Sequence, residues 1–294
     1  MHDFQQISGL VLGCLGLISN GLLLVVLCRT KIGWHRLNLQ MVGPLAVLDF
    51  TASLLVVLKN AMYFANRNML SGVGLCAYLG TPLIALPYVS IVLVAVMAVD
   101  RHRIVVYGSG VRCKWGWAFV GLVAVLLSTI NILNTAIYGI HPASTFALCR
   151  FVINTTLYKI AFYLSSLILV AALVTVNFCY VGIYLHCRKV LASFHTTMST
   201  RSLFMLVTYH FCWLPNFLTI IWTICRIQSS MPNFLIYAAQ LSVYFYLFVN
   251  PCLVLAFQSS LRNQLYSLLK GRPLSTNDLP ILLSASESNS FYSK

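Results

Sequence analysis

The chain has 294 residues, of which 60% are hydrophobic and only 8% charged, with a mean hydropathy of +0.86. Soluble domains carry about 25% charged residues, so this composition excludes a soluble enzyme or binding module and points to a polytopic membrane protein. The net charge of +14 comes from 19 Lys and Arg against 5 Asp and Glu. The basic residues are scattered in short runs between apolar segments, which fits membrane topology better than nucleic-acid binding.

Seven apolar stretches are long enough to span, at about 6–28, 39–65, 73–106, 115–138, 157–187, 202–225 and 234–257. Residues 1–5 then form a short N-terminal tail, and the first stretch reads as a retained signal anchor. Residues 6–257 form one all-α seven-helix bundle. Fourteen of the 19 Lys and Arg fall on one side of the spans and five on the other. The positive-inside rule places the N-terminus outside and the C-terminus in the cytosol, as a multi-pass protein of the plasma membrane. No internal repeat supports an inverted-repeat transporter.

Span one carries Asn20, and span two carries Asp49, the only carboxylate deep in any span. Asp49 lies 11 residues from Asn38 and Ser90 lies 11 residues from Arg101, so each sits roughly 16 Å from the same membrane face. Asn20 and Asn250 lie somewhat nearer that face. Four polar groups at compatible depths predict one buried cluster. It is either hydrogen-bonding glue between helices or a cation or proton site. Lys59 is ten residues outward of Asp49. It either snorkels to the outer interface or lines a pocket that favours an anionic ligand, together with Arg150.

Span three runs from Cys76 to Asp100-Arg101-His102. Those 25 steps, as helix, rise roughly 37 Å, enough to hold the cysteine at one face and the Asp-Arg pair at the other. Of ten cysteines, Cys76 and Cys149 alone fall clearly outside, as a bridge or as two free thiols. Asn154-Thr155-Thr156 is a weak N-glycosylation sequon. In span four, Trp115 and Trp117 sit at the inner interface, where Trp commonly anchors helices. Tyr180 in span five is either an interfacial tyrosine or part of a Tyr-x-x-Ile signature ending at Ile183. In span six, Pro215 frees the carbonyl of Phe211 and predicts a kink directly after Trp213. Span seven closes on Asn250-Pro251. Residues 258–270 form an amphipathic helix on the membrane, with Phe257, Leu261, Leu265 and Leu268 on one face. Residues 271–294 are a Ser-rich, disordered tail, its serines either phosphorylation sites or a solvated linker.

The Cys76 to Asp100-Arg101-His102 spacing, Cys212-Trp213-Leu214-Pro215 and Asn250-Pro251 together resemble the rhodopsin-like (class A) G-protein-coupled receptors. The resemblance runs from Asn20 to Arg262. It implies a Cys76–Cys149 disulfide and a switch built from Trp213 and Pro215. It implies coupling to a heterotrimeric G protein through Asp100, Arg101, His102, Tyr180, Asn250 and Pro251. Asn20, Asp49, Ser90 and Asn250 match the family's sodium-binding positions, with Asp49 and Ser90 as the candidate ligands. Tyr246 and Leu247 stand where the family usually has Asn and Ser. Further departures are Leu127 for a span-four Trp, Ala172 for a span-five Pro, and Val254 for the Tyr of Asn-Pro-x-x-Tyr.

Pocket candidates by the resemblance are Lys59, Leu83, Pro87, Asn216, Phe217 and Tyr244. Tyr244 occupies the place of the retinal-binding lysine of opsins, and Leu83 that of the amine-binding Asp, so neither retinal nor biogenic amines are expected. No cofactor is implied. The loop between spans five and six, about 14 residues by these edges, is closer to receptors for peptides and lipids. Arg101 is expected to be held by Asp100, and His195 stands where the family has an acid at the foot of span six. Two other classes fit seven helices, a transporter and a receptor-like scaffold that does not couple to G proteins. A transporter would need more embedded acids than Asp49. No residue pattern suggests an enzyme.

Overall fold

The structure is a computed structural model. It describes residues 2–29, 37–65, 73–109, 111, 113–138, 140–143, 148–151, 156–190, 196–225, 232–257 and 259–270. The elements are α1 (His2–Arg29), α2 (Leu37–Ala65), α3 (Val73–Tyr107), α4 (Cys113–Tyr138), β1 (Ile140–Ala143), β2 (Leu148–Phe151), α5 (Thr156–Val190), α6 (Thr196–Ile224), α7 (Asn233–Phe257) and α8 (Ser259–Leu269). Seven of these helices are long and apolar enough to cross a membrane. Hydrocarbon offers the backbone no hydrogen-bond partners, so an apolar run must satisfy its amides within its own helix.

Helix α1 packs against α2 and α7, and α6 lies between α5 and α7. Helix α3 contacts α2, α4 and α5 and is the most buried of the seven. The distribution of polarity is inverted relative to a soluble protein. Large apolar side chains such as Leu167, Phe178, Phe211 and Val125 face outward, while Asn20, Asp49, Ser53, Ser90 and Asn250 are fully inside. Outward apolar surface is the lipid contact. The inward polar groups are satisfied by hydrogen bonds to one another and to backbone carbonyls.

Two boundaries depart from the sequence reading. Helix α1 begins at His2, so residues 2–5, read as part of a tail, form its first turn. Asp3 stands there, at the positive end of the helix dipole, and accepts a hydrogen bond from Tyr63 Oη at 3.2 Å. The second departure is an added element. Strands β1 and β2 pair antiparallel, with Pro142 opposite Cys149, and both lie against α3. Four-residue strands, one with a proline, give no alternation signal. The side chains of Cys76, Cys149 and Arg150, the sequon at Asn154, His195 and the Ser-rich tail lie outside the described residues.

Helix α8 follows α7 with one residue between them. Leu261 is buried at their junction, and Arg262 Nη1 donates to the carbonyl of Ala256 at 2.6 Å. That bond satisfies one of the orphan carbonyls at the end of α7.

Close approach of α1 rests on glycine. A Cβ at Gly13 would stand 2.9 Å from Val57, and one at Gly16 would stand 2.5 Å from Ser53 Oγ and 3.8 Å from the backbone of Leu247. Ser53 Oγ is itself committed to Asp49 O at 2.7 Å, so it has little freedom to move. Gly16→Val should therefore lower stability by about 1–3 kcal/mol, the usual scale of overpacking. A fluorescence melting curve of the detergent-solubilised protein would show this as a lower melting temperature. An unchanged curve would mean that α1 can shift away from α2 without loss.

Candidate functional site

The predicted polar cluster forms around Asp49. Its Oδ1 accepts a hydrogen bond from Ser90 Oγ at 2.7 Å, and its Oδ2 accepts one from Asn250 Nδ2 at 2.7 Å. Helices α2, α3 and α7 are joined through one carboxylate. Asn20 is placed beside this cluster and serves the backbone. Its amide donates to Gly16 O at 2.9 Å and to Leu247 O at 3.0 Å. Asn20 thus ties α1 to α7 rather than contacting Asp49.

Two tyrosines extend the network: Tyr246, which the sequence reading named only as a departure from the family's pattern, and Tyr209, which it did not include. Tyr246 Oη is 2.9 Å from Ser90 Oγ. Tyr209 Oη donates to Asn250 Oδ1 at 2.9 Å. The two rings lie 5.9 Å apart. A helical signal for Tyr246 existed, because it is four residues before Asn250 and so shares its face. Tyr209 likewise is four residues before Trp213. Among the described residues no group of three His, Cys, Asp or Glu could hold a metal ion. Each Asp49 oxygen is already met by a neutral donor, and the Tyr246 phenol stands beside Ser90.

Trp213 is fully buried just before Pro215 and packs against Tyr246 at 5.3 Å and Tyr88 at 6.3 Å. Its indole Nε1 has no hydrogen-bond partner among the described residues. The ring therefore connects the Asp49 network to α3 by packing alone, and no polar bond fixes it in place. A buried donor without a partner costs about 1–3 kcal/mol, which weakens the hold of this packing on the indole.

Toward the Cys76 end of the bundle, a cavity of about 280 Å³ lies between α2, α3, α6 and α7. Of the pocket candidates, Lys59, Leu83, Asn216 and Tyr244 line it, while Pro87 and Phe217 do not. Lys59 does not snorkel. It is only 4% exposed and donates to Tyr244 Oη at 3.4 Å. Asn216 is braced across to α7, donating to Ala239 O and Ser242 Oγ, each at 3.2 Å.

At the opposite end, Asp100 and Arg101 do not pair among the described residues. Asp100 Oδ1 accepts the backbone N–H of Val111 at 2.8 Å, and its Oδ2 has no partner. Adjacent helical residues point about 100° apart, so neighbours in sequence do not face each other. The chain returns to Asp100 because Gly108, at φ +69°, turns it sharply after α3. The expectation that Asp100 holds Arg101 is corrected on this ground. His102 is buried against α5, where a Cβ at Gly182 would stand 2.5 Å from its Nε2. The His102 ring also contacts Phe178 and Tyr107. Tyr180 and Val254 are both buried.

A model of the family described as 7 transmembrane receptor (rhodopsin family) matches residues 19–253. The match covers about four-fifths of the chain. The chain belongs to the rhodopsin family of seven-transmembrane receptors. No curated protein matches it. As a rhodopsin-family protein it is a receptor-type, multi-pass membrane protein, with seven membrane-capable helices followed by a short amphipathic one.

Proposed function

We propose that this receptor converts binding of an extracellular ligand into activation of a heterotrimeric G protein at the plasma membrane. The observation that carries this reading is a line of buried contacts that runs from Trp213 to Asn250 and Tyr209. Asn216, three residues after Trp213 on α6, lines the cavity together with Lys59 and Tyr244. Trp213 packs on Tyr246, and Tyr246 leads through Ser90 and Asp49 to Asn250 and Tyr209. A ligand that prefers one packing of this line shifts the population of the bundle. Pro215 gives α6 a hinge, and outward movement of its far end exposes Arg101 to the G protein.

In this reading the N-terminus is outside, and the ends of α3 and α6 near Arg101 face the cytosol. Asp100, Arg101, His102, Tyr180, Asn250 and Pro251 form the coupling side, and Cys76–Cys149 staples the hairpin to α3. Unpaired Arg101 supports measurable activity without ligand, because a restraint on the closed packing is missing. The test is guanine-nucleotide exchange by purified heterotrimers in membranes bearing the full chain. Exchange above that of membranes lacking the chain is expected for at least one Gα class. Silence with every class would leave the non-coupling scaffold as the better reading.

A further inference from the structure

The cation in the cavity is incompletely paired. Lys59 sits 4% exposed, and its one hydrogen bond among the described residues is the long contact to Tyr244 Oη at 3.4 Å. An ammonium carries three donors, so two are unused. Tyr244 Oη also receives Gln240 Nε2 at 2.5 Å. With its oxygen accepting from both sides, the phenol proton of Tyr244 remains to donate. Gln240 is itself fixed by Gln5 of α1, whose Nε2 donates to Gln240 Oε1. The array is thus built from α1, α2 and α7; its one cation is Lys59, and Gln5 Oε1 is a neutral acceptor within it that has no partner among the described residues.

No carboxylate lines the cavity. Asp49 is ten residues deeper on the same helix, roughly 15 Å away, and both its oxygens are already engaged. A buried ammonium without an anion is costly, and the same low dielectric makes any anion that arrives there strongly held. The other walls are apolar, with Leu83 and Ile84 on α3 and Ile236 and Val243 on α7. At about 280 Å³, the cavity is at the lower end of small-molecule sites. It suits a small molecule rather than a folded peptide.

We propose that the cavity takes a small amphipathic monocarboxylate, with its two oxygens on Lys59 and Tyr244 and its apolar body against Leu83, Ile84, Ile236 and Val243. This rests on the receptor reading for its consequence, though not for the binding itself. One ammonium and one phenol proton match the two oxygens of a carboxylate. A phosphate dianion would leave its second charge unmet, because Lys59 is the only Lys or Arg lining the cavity among the described residues. Asn216 does not compete for the head group, since its amide is spent on α7.

The experiment uses the full chain in nanodiscs of neutral lipid, with decanoate, decanol, decylamine and decyl phosphate as probes. Binding is read as a concentration-dependent rise in melting temperature, and signalling separately as nucleotide exchange on a G protein. Decanoate is expected to stabilise the protein, while decanol and decylamine do not. Lys59→Met should raise the half-maximal decanoate concentration by about tenfold or more, the worth of a charge-assisted hydrogen bond. Lys59→Arg should restore most of it. Tyr244→Phe gives a second, smaller loss and serves if Lys59→Met does not fold. Equal stabilisation by decanol, an unchanged response in both variants, or stronger stabilisation by decyl phosphate would each overturn the proposal. Decanoate binding without nucleotide exchange would keep the ligand class and sink the receptor reading. Exchange in the absence of carboxylate binding would do the reverse.

Discussion

Arg101→Ala is expected to abolish G-protein nucleotide exchange while leaving the amount of protein at the cell surface unchanged. The two halves of this expectation have different grounds. Arg101 is half-buried at the end of α3 and has no ion pair with Asp100, whose Oδ1 is occupied by Val111. Truncating it therefore breaks no described polar contact and should not unfold the bundle. Its proposed role is exerted only when α6 has moved and the G protein is engaged. The companion variant is Val254→Tyr. Tyr180 and Val254 are both buried, and Val254 has no hydroxyl to offer across to α5. A restored hydroxyl pair that forms only in the open packing is worth about 1 kcal/mol, or about fivefold in the equilibrium. Exchange should rise by that order in Val254→Tyr and vanish in Arg101→Ala, at matched surface levels. If both variants match the wild type, Arg101 is not part of the output and the coupling assignment fails.

Asn250→Leu should produce the largest loss of stability of any single change in the Asp49 network. It removes the donor to Asp49 Oδ2 and the acceptor for Tyr209 Oη together, both fully buried in the bundle. Each buried group left unpaired costs about 1–3 kcal/mol. Tyr246→Phe removes a hydroxyl that shares Ser90 with Asp49, so it should cost less. Melting curves in detergent give the ranking, and Tyr246→Phe falling at or below Asn250→Leu would mean that the Tyr246–Ser90 contact carries more of the network than the two Asn250 bonds do. Sodium chloride and choline chloride should give the same curve for the wild type. A sodium-specific rise would show that an ion displaces one of these neutral donors.

Much of the architecture was legible because hydrocarbon leaves the chain few options. The seven helices follow the apolar runs within a few residues, since every span must satisfy its own amides. The motif residues Asp100, Trp213, Pro215 and Asn250 stand out for a related reason, as polar or helix-breaking groups that hydrocarbon does not forgive without a purpose. Side-chain direction was not legible. Depth alone grouped Asn20 with Asp49, yet rotation about α1 sends its amide to the backbone of Leu247. Depth also left Lys59 open between interface and cavity, and only the position of Tyr244 on α7 decides it. Tyr209 looks like ordinary aromatic content in a chain with 15 tyrosines, and Tyr246 read only as a replacement for an Asn. Their hydroxyls matter because α3, α6 and α7 converge, which is tertiary information. Asp100 is the converse case. A sequence neighbour suggested an ion pair, and a turn at Gly108 supplied a backbone partner instead.

The seam between α1 and α2 also bears on how the molecule is made. Gly13 and Gly16 bring the two backbones together without large side chains needing to find their rotamers. Only seven residues separate the end of α1 from the start of α2, so closing the pair costs little loop entropy. In lipid, association depends on close van der Waals fit rather than on expelling water. This helical hairpin can therefore assemble as soon as its second helix leaves the translocation machinery. The Ser19 hydroxyl and the Asn20 amide would then already be in position when α7, the seventh spanning helix, arrives to offer them the carbonyls of Phe248 and Leu247.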